Sequence, residues 1–249
     1  MKNNLHLKIS IICLAIAALT LSCSKKQPTP TAEIDYIKAY ELLKDKDYSE
    51  SAKAFEKIED EYPFSKWAQK SQVMAAYCYY KQEEYENLNR IVDDFIRISP
   101  NSEYTSYMLY IKGLGFYNKI PNIYRSQDST RESSKIFREI IARFPQSIYI
   151  DDIKNKITFI DEHLAGYKMS LGRYQQKNEN YIGAIQNFQE VVWRFKRTNQ
   201  VAEAYFRLFE TYEKLGLKTE SIKALNILEK EFSNNFWTKE AIKIKNFKR

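Results

Sequence analysis

Residues 48–63 read YSESAKAFEKIEDEYP and residues 85–100 read YENLNRIVDDFIRISP. Laid over one another, Tyr48, Ser51, Phe55, Ile58, Tyr62 and Pro63 fall on Tyr85, Leu88, Val92, Phe95, Ser99 and Pro100, each pair 37 residues apart. The same columns return as Thr130, Ser133, Phe137, Ile140, Phe144 and Pro145, then as Tyr181, Ala184, Phe188, Val191 and Phe195. A last set is Lys218, Ser221, Leu225, Leu228 and Phe232. Steps of three, four, three and four residues trace one face of an α-helix, so each set predicts an amphipathic helix. Fixed-period self-similarity of this length is the mark of a stacked repeat.

Upstream of each set the pattern predicts a partner helix with a small residue at its packing point: Ala39, Ala76, Gly113 and Gly172, with Phe209 departing in the last. Paired helices that approach through a small residue and stop near proline resemble the tetratricopeptide repeat (TPR). The expected fold is therefore all-α, an α-solenoid of about five such pairs. Two intervals are longer than 37. The excess before Pro145 falls in Ile120–Thr130 (IPNIYRSQDST), an insertion between the helices of the third pair. The excess before Phe195 falls in Tyr149–Lys177, which lacks proline and predicts one helix of about 29 residues and ~43 Å. That helix would join residues 34–148, holding repeats 1–3, to residues 149–249, holding itself and repeats 4–5.

The start of the chain has a different character. Lys2 and Lys8 flank a short polar n-region, and residues 9–21 form a largely apolar run, too short for a permanent span of about 20 residues. With Leu19-Thr20-Leu21-Ser22-Cys23 behind it, the segment resembles a bacterial lipoprotein signal, and residues 1–22 are expected to be removed. In that class of signal the cysteine, here Cys23, carries lipid and becomes the new N-terminus. Residues 23–33 then form a polar tether with Pro28 and Pro30. Loss of Lys2 and Lys8 lowers the formal net charge from +7 to +5, too mild an excess for a nucleic-acid protein. A lipidated Cys23 leaves Cys78 as the sole thiol, so no internal disulfide is expected.

Hydrophobic residues make up 44% of the 249, charged residues 29%, and the mean hydropathy is −0.56, which excludes a polytopic membrane protein. The 19 Tyr and 14 Phe exclude disorder. Catalytic signals are lacking. His163 follows Asp161 and Glu162 without the two-histidine spacing of a zinc site, and there is no G-x-S-x-G or phosphate-binding glycine loop. Neither an enzyme nor a metal or cofactor is expected.

Tyrosine is the informative residue. In TPR geometry the first helix of each pair lines a concave groove, which turns Tyr36, Tyr40, Tyr77, Tyr80, Tyr107, Tyr110 and Tyr117 toward one wall. Tyrosine offers apolar area at small rotamer entropy and a polar tip, which suits extended peptides. The same residues equally suit packing between helices. In the C-terminal half Arg173, Lys177, Arg194, Lys196 and Arg197 form a basic set, fitting either an acidic partner or solvated helix ends.

Longer phrases point further. EDEYPFSKWAQKSQVMAAYCYYKQEEYE (59–86), FIRISPNSEYTSYMLYIKGL (95–114), RSQDSTRESSKIFREIIARFPQSIYIDD (125–152) and LAGYKMSLGRYQQKNENYIGAI (164–185) resemble, in order, the BamD/ComL family of the outer-membrane β-barrel assembly (BAM) complex. The resemblance implies a non-enzymatic scaffold lipoprotein, lipid-anchored on the periplasmic face of the outer membrane. It implies binding to the POTRA domains of BamA through the C-terminal repeats, with other BAM lipoproteins as neighbours. It implies that the N-terminal repeats receive segments of unfolded outer-membrane proteins. The family's basic BamA-docking position aligns with Asn187, so Arg173, Arg194 and Lys196 stand beside it as docking candidates. The alternative is another TPR lipoprotein of the envelope, such as a pilus-assembly or envelope-coordination factor.

Overall fold

In the computed structural model, residues 31–247 are described; the signal segment 1–22, Cys23 and most of the tether lie outside them. The described residues form helices α1 (Ala32–Lys44), α2 (Tyr48–Glu61), α3 (Ala68–Lys81), α4 (Tyr85–Ile98), α5 (Thr105–Asn118), α6 (Asp128–Arg143), α7 (Ile150–Lys177), α8 (Tyr181–Arg194), α9 (Val201–Lys214), α10 (Lys218–Glu231) and α11 (Phe236–Phe247). Each helix packs on its chain neighbour. Successive first helices also touch (α1 on α3, α3 on α5, α7 on α9, α9 on α11), whereas second helices of neighbouring repeats do not. First helices therefore crowd onto an inner face and second helices splay on an outer one. This is the expected α-solenoid, with α11 closing its C-terminal end.

The repeated columns are the core. Phe55, Val92, Phe137, Phe188 and Leu225 are buried, as are Ile58, Phe95, Ile140, Val191 and Leu228 one turn on. The small residues opposite let the helices meet. A Cβ on Gly113 would lie 2.5 Å from Phe137 Cε1, and one on Gly172 would lie 2.4 Å from Phe188 Cε1. Ser51 Oγ donates to Ala39 O (2.9 Å) and Ser133 Oγ to Gly113 O (3.0 Å), so the serine column ties the pair at the same level. In the fifth repeat the sizes are exchanged: buried Phe209 takes the small position and Leu225 replaces phenylalanine.

Two turns recur. Within repeats, Lys46, Glu83, Glu179 and Gly216 hold the left-handed conformation at φ of 61–71°, each two residues before the next helix. Between repeats, the residue ending each second helix accepts from an amide three residues on: Ser65 to Tyr62, Ser102 to Ser99, Ser147 to Phe144, Thr198 to Phe195 and Asn235 to Phe232. Proline follows the first three of these acceptors only, so the turn is set by backbone bonding, with proline as an aid where present.

Three boundaries differ in detail from the sequence expectation. Thr31 caps α1, its Oγ1 accepting from Ile34 N, so the first helix starts at Ala32 inside the expected tether. The insertion is shorter, because Asp128–Thr130 already belong to α6. It is also ordered: the fully buried Gln127 side chain donates to Asn122 O and Arg125 O, and its Oε1 accepts from Thr130 Oγ1. Ile123 from this loop reaches α7 at Gly166, filling space where the backbones of α5 and α7, unlike those of other successive first helices, do not approach closely. The joining helix has 28 residues, about 42 Å.

Candidate functional site: an aromatic inner groove and a basic outer groove

Tyr107, Tyr110 and Tyr117 lie on one face of α5; Tyr149 at the N-cap of α7, with Asp152, Lys156 and Phe159 on the helix, spaced three, four and three, form the facing stripe. The stripes meet through side chains. Tyr110 stacks on Tyr149 with centroids 4.3 Å apart and planes at 10°. Tyr107 lies 5.9 Å from the same ring, and Tyr117 meets Phe159 edge-on at 5.7 Å. Tyr110 Oη donates to Asp152 Oδ2 (2.7 Å), Lys156 Nζ donates to Asp152 Oδ1 (2.6 Å), and the same ammonium sits 5.4 Å from the Tyr117 ring centroid.

This polar knot has clear electrostatics. Burial works to raise the Asp152 pKa, but the bonds from Lys156 and Tyr110, with the Lys156 charge, outweigh it and hold the carboxyl below its ordinary value. Burial, then the carboxylate acceptor, push the Tyr110 phenol well up. Tyr107 is likewise raised, by burial first and then by Tyr149, Tyr77 and Tyr80 nearby. These phenols stay neutral and serve as surface and donors, not as acids.

The remaining wall residues distribute as follows. Tyr36 packs between Phe55 (5.2 Å) and Trp67 (4.6 Å), and Lys44 lies over the Tyr40 ring. Tyr80 Oη accepts from Asn118 Nδ2 at 3.3 Å, and Tyr77 is half-buried beside it. Of the seven, only Tyr40 is exposed; the others are half-buried, and Tyr36, Tyr107, Tyr110 and Tyr117 pack their rings on aromatic neighbours outside the set. The open space lies at the edge of this cluster, a groove of about 770 Å³ lined by Tyr104, Tyr107, Phe144, Pro145, Ile148 and Tyr149, with Ile148 88% exposed. Tyr149, Phe159 and Ile148 were not among the sequence candidates, although the spacing of the first two on α7 carried the signal.

The docking candidates separate onto different surfaces. Arg194 and Lys196 line an outer groove of about 720 Å³ between α6, α7 and the end of α8. Its floor holds Ile141, Ile157 and Leu164, and Trp193, missed in the sequence, stands 65% exposed on its rim. Arg138 bonds Asp161 with both oxygens (2.6 and 2.8 Å), and Arg194 pairs with Glu190 at 3.0 Å, leaving Lys196 and Arg197 without an ion pair among the described residues. Asn187 is elsewhere: its amide donates to Gln175 Oε1 (2.8 Å) and Gly183 O (3.0 Å) in the α7–α8 seam. Arg173 faces α9, where it donates to both oxygens of Glu203 at 3.1 Å.

Among the described residues no three His, Cys, Asp or Glu side chains are placed to hold a metal, and no helix is long and apolar enough to cross a membrane. His163 stacks on Phe159 at 5.8 Å, and Cys78 is buried, its thiol pushed up by burial despite a bond to Ser51 Oγ.

Comparison with known proteins places these surfaces in a family. The YfiO family, described as an outer membrane lipoprotein, matches residues 29–227. The outer membrane protein assembly factor BamD of Rickettsia prowazekii is 32% identical over 207 residues, covering 83% of this chain and 82% of that protein. BamD of Caulobacter vibrioides is 28% identical over 96% of this chain and 80% of its own length, and BamD of Neisseria meningitidis serogroup B is 30% identical over 82% and 80%. Among solved structures, the type IV pilus biogenesis factor PilW covers 86% of this chain and 99% of its own, at 12% identity and a TM-score of 0.40, a likeness too slight to carry a functional argument. The chain belongs to the YfiO/BamD family of outer-membrane lipoproteins and has its role in outer membrane protein assembly.

Proposed function

We propose that this protein is a non-enzymatic scaffold, held by lipid on Cys23 to the periplasmic face of the outer membrane. It presents unfolded outer-membrane protein segments on its inner face and docks BamA POTRA domains on its outer face, alongside other BAM lipoproteins. The observation that carries the reading is the groove beside Tyr107 and Tyr149. Rigid aromatic rings, locked by Tyr110, Asp152 and Lys156, line an open apolar trough in the N-terminal repeats. Preformed aromatic surface takes an extended, aromatic-rich chain without ordering cost of its own. The outer groove supports the docking role, since exposed Trp193 beside Lys196 and Arg197 has the composition of an interface anchor.

Two measurements test this. Replacing Tyr107, Tyr110 and Tyr149 together by Ala should weaken binding of an aromatic-ended client peptide by about 2 kcal/mol or more, the range of interface hot spots. Unchanged affinity with intact helicity refutes the groove. Isolation from detergent-solubilised envelopes should bring down a POTRA-containing barrel protein, and Trp193→Ala should reduce its yield. A yield equal to that of the unaltered protein removes the outer groove from the docking role.

A further inference from the structure

The inner face changes character beyond α7. A cleft of about 350 Å³ opens between the end of α7, the first residue of α8 and the end of α9, lined by Arg173, Gln176, Lys177, Tyr181, Arg207, Glu210 and Lys214. Its floor is prebuilt. Gln176 Nε2 donates to Thr211 Oγ1 (3.0 Å), which donates to Arg207 O (2.6 Å), and Thr211 is fully buried. Arg173 and Arg207 share Glu203, and Arg207 also pairs with Glu210 at 2.9 Å. Two arginines and two glutamates thus neutralise one another. Lys177 and Lys214 are exposed, and no ion pair ties either of them among the described residues. The cleft is left with a net charge of about +2.

A lysine ends other first helices too, as Lys44 and Lys81, where it complements the helix dipole. At α7 and α9 two such lysines open onto a common cleft whose other charges are already spent on each other. Their helices are neighbours, and the axes of packed helices lie about 8–10 Å apart. One small anion does not bridge that span. Alternate side chains of an extended chain stand about 7 Å apart on one face, and two long carboxylate side chains at that interval reach both lysines.

We propose that this cleft is a second binding site, distinct from the aromatic groove, for an extended acidic polypeptide segment whose alternate Glu or Asp side chains pair with Lys177 and Lys214. The Gln176–Thr211 and Arg–Glu ties hold the floor fixed, so binding asks no rearrangement of α7 or α9.

The probe is a fluorescein-labelled dodecapeptide of alternating Glu and Ser, titrated with the mature full-length protein by fluorescence anisotropy at low salt. Saturable binding is expected, weakened about tenfold in the K177Q/K214Q variant, the effect of two exposed ion pairs. Raising salt should weaken it further, and the Gln/Ser counterpart peptide should not bind. The K53Q/K57Q variant, which removes the same charge from exposed lysines of α2, should leave the affinity unchanged. Absence of saturable binding overturns the proposal, as does an unchanged affinity in K177Q/K214Q or an equal loss in K53Q/K57Q. Equal binding of the Gln peptide overturns it, and displacement by inorganic phosphate at the concentration of the free Glu/Ser peptide would mark a small-anion site instead. None of these results bears on the aromatic groove, whose peptide carries no acidic repeat.

Discussion

Gly172→Ala tests the close packing of α7 on α8 within the fourth repeat. The added Cβ would stand 2.4 Å from Phe188 Cε1, 2.8 Å from Cδ1 and 2.9 Å from Cζ. Carbon atoms rest at about 3.5–4.0 Å, so the ring must retreat by roughly 1 Å or more. Phe188 is fully buried and cannot swing into solvent. Overpacking of this kind costs about 1–3 kcal/mol, and the helix propensity of alanine over glycine returns up to ~1 kcal/mol. The expected net loss is about 1–2 kcal/mol, or a fall in Tm of roughly 2–8 °C for a domain of this size. Thermal melts followed by circular dichroism at 222 nm read it directly. Phe188→Leu should be harmful alone yet relieve the Gly172→Ala variant, giving a coupling energy of opposite sign to the single losses. A Gly172→Ala protein as stable as the parent, or a Phe188→Leu change that brings no relief, would refute the close-approach reading of the small-residue column.

Three further outcomes follow from other parts of the structure. Gly216→Ala, at φ 71° with no atom within 4 Å of the new Cβ, should cost about 1 kcal/mol from backbone conformation alone, and Glu83→Gly at the equivalent turn should be neutral or stabilising in urea melts. Asp152 has a depressed folded pKa, so its contribution is present above the ordinary aspartate value of 3.8 and is lost as pH falls through the folded value. The Tm gap between the parent and Asp152→Asn should therefore be open at pH 7 and close in acid, and a gap independent of pH would contradict the knot. Gln127→Ala removes the three bonds that pin the inserted loop, leaving Asn122 O and Arg125 O without that donor. A loss of about 1–3 kcal/mol and faster amide exchange across residues 120–127 are expected, and unchanged exchange would show that Ile123 alone holds the loop.

Much of the fold was legible because a solenoid repeats its local physics. The column from Phe55 to Leu225 is both the sequence signal and the buried core, so periodicity and packing coincide. Left-handed turns were visible only at Gly216, since Lys46, Glu83 and Glu179 adopt the conformation without the residue that advertises it. The between-repeat turn was read through proline, yet it recurs after Phe195 and Phe232, where backbone bonds form it with no proline following. Phe209 read as a departure because one column was seen without its partner, and the exchange with Leu225 restores the fit. The site was less legible. Tyr149 and Phe159 face Tyr107, Tyr110 and Tyr117 across a gap between α5 and α7; their helical spacing marks a stripe, but spacing alone does not say which stripe it meets. Arg173 and Arg194 lie on one chain stretch but on opposite faces, which only the solenoid's curvature separates.

Helix α7 gives this arrangement a mechanical property. Its first half stacks under the third repeat and its second half under the fourth, with no joint at which one could swing independently of the other. It behaves as a single beam shared by two storeys. A tilt of 5° imposed at its Tyr149 end would sweep the Lys177 end through roughly 4 Å, given about 42 Å of length. A displacement imposed on one storey would therefore be carried to the other by rigid leverage instead of being absorbed in a flexing linker.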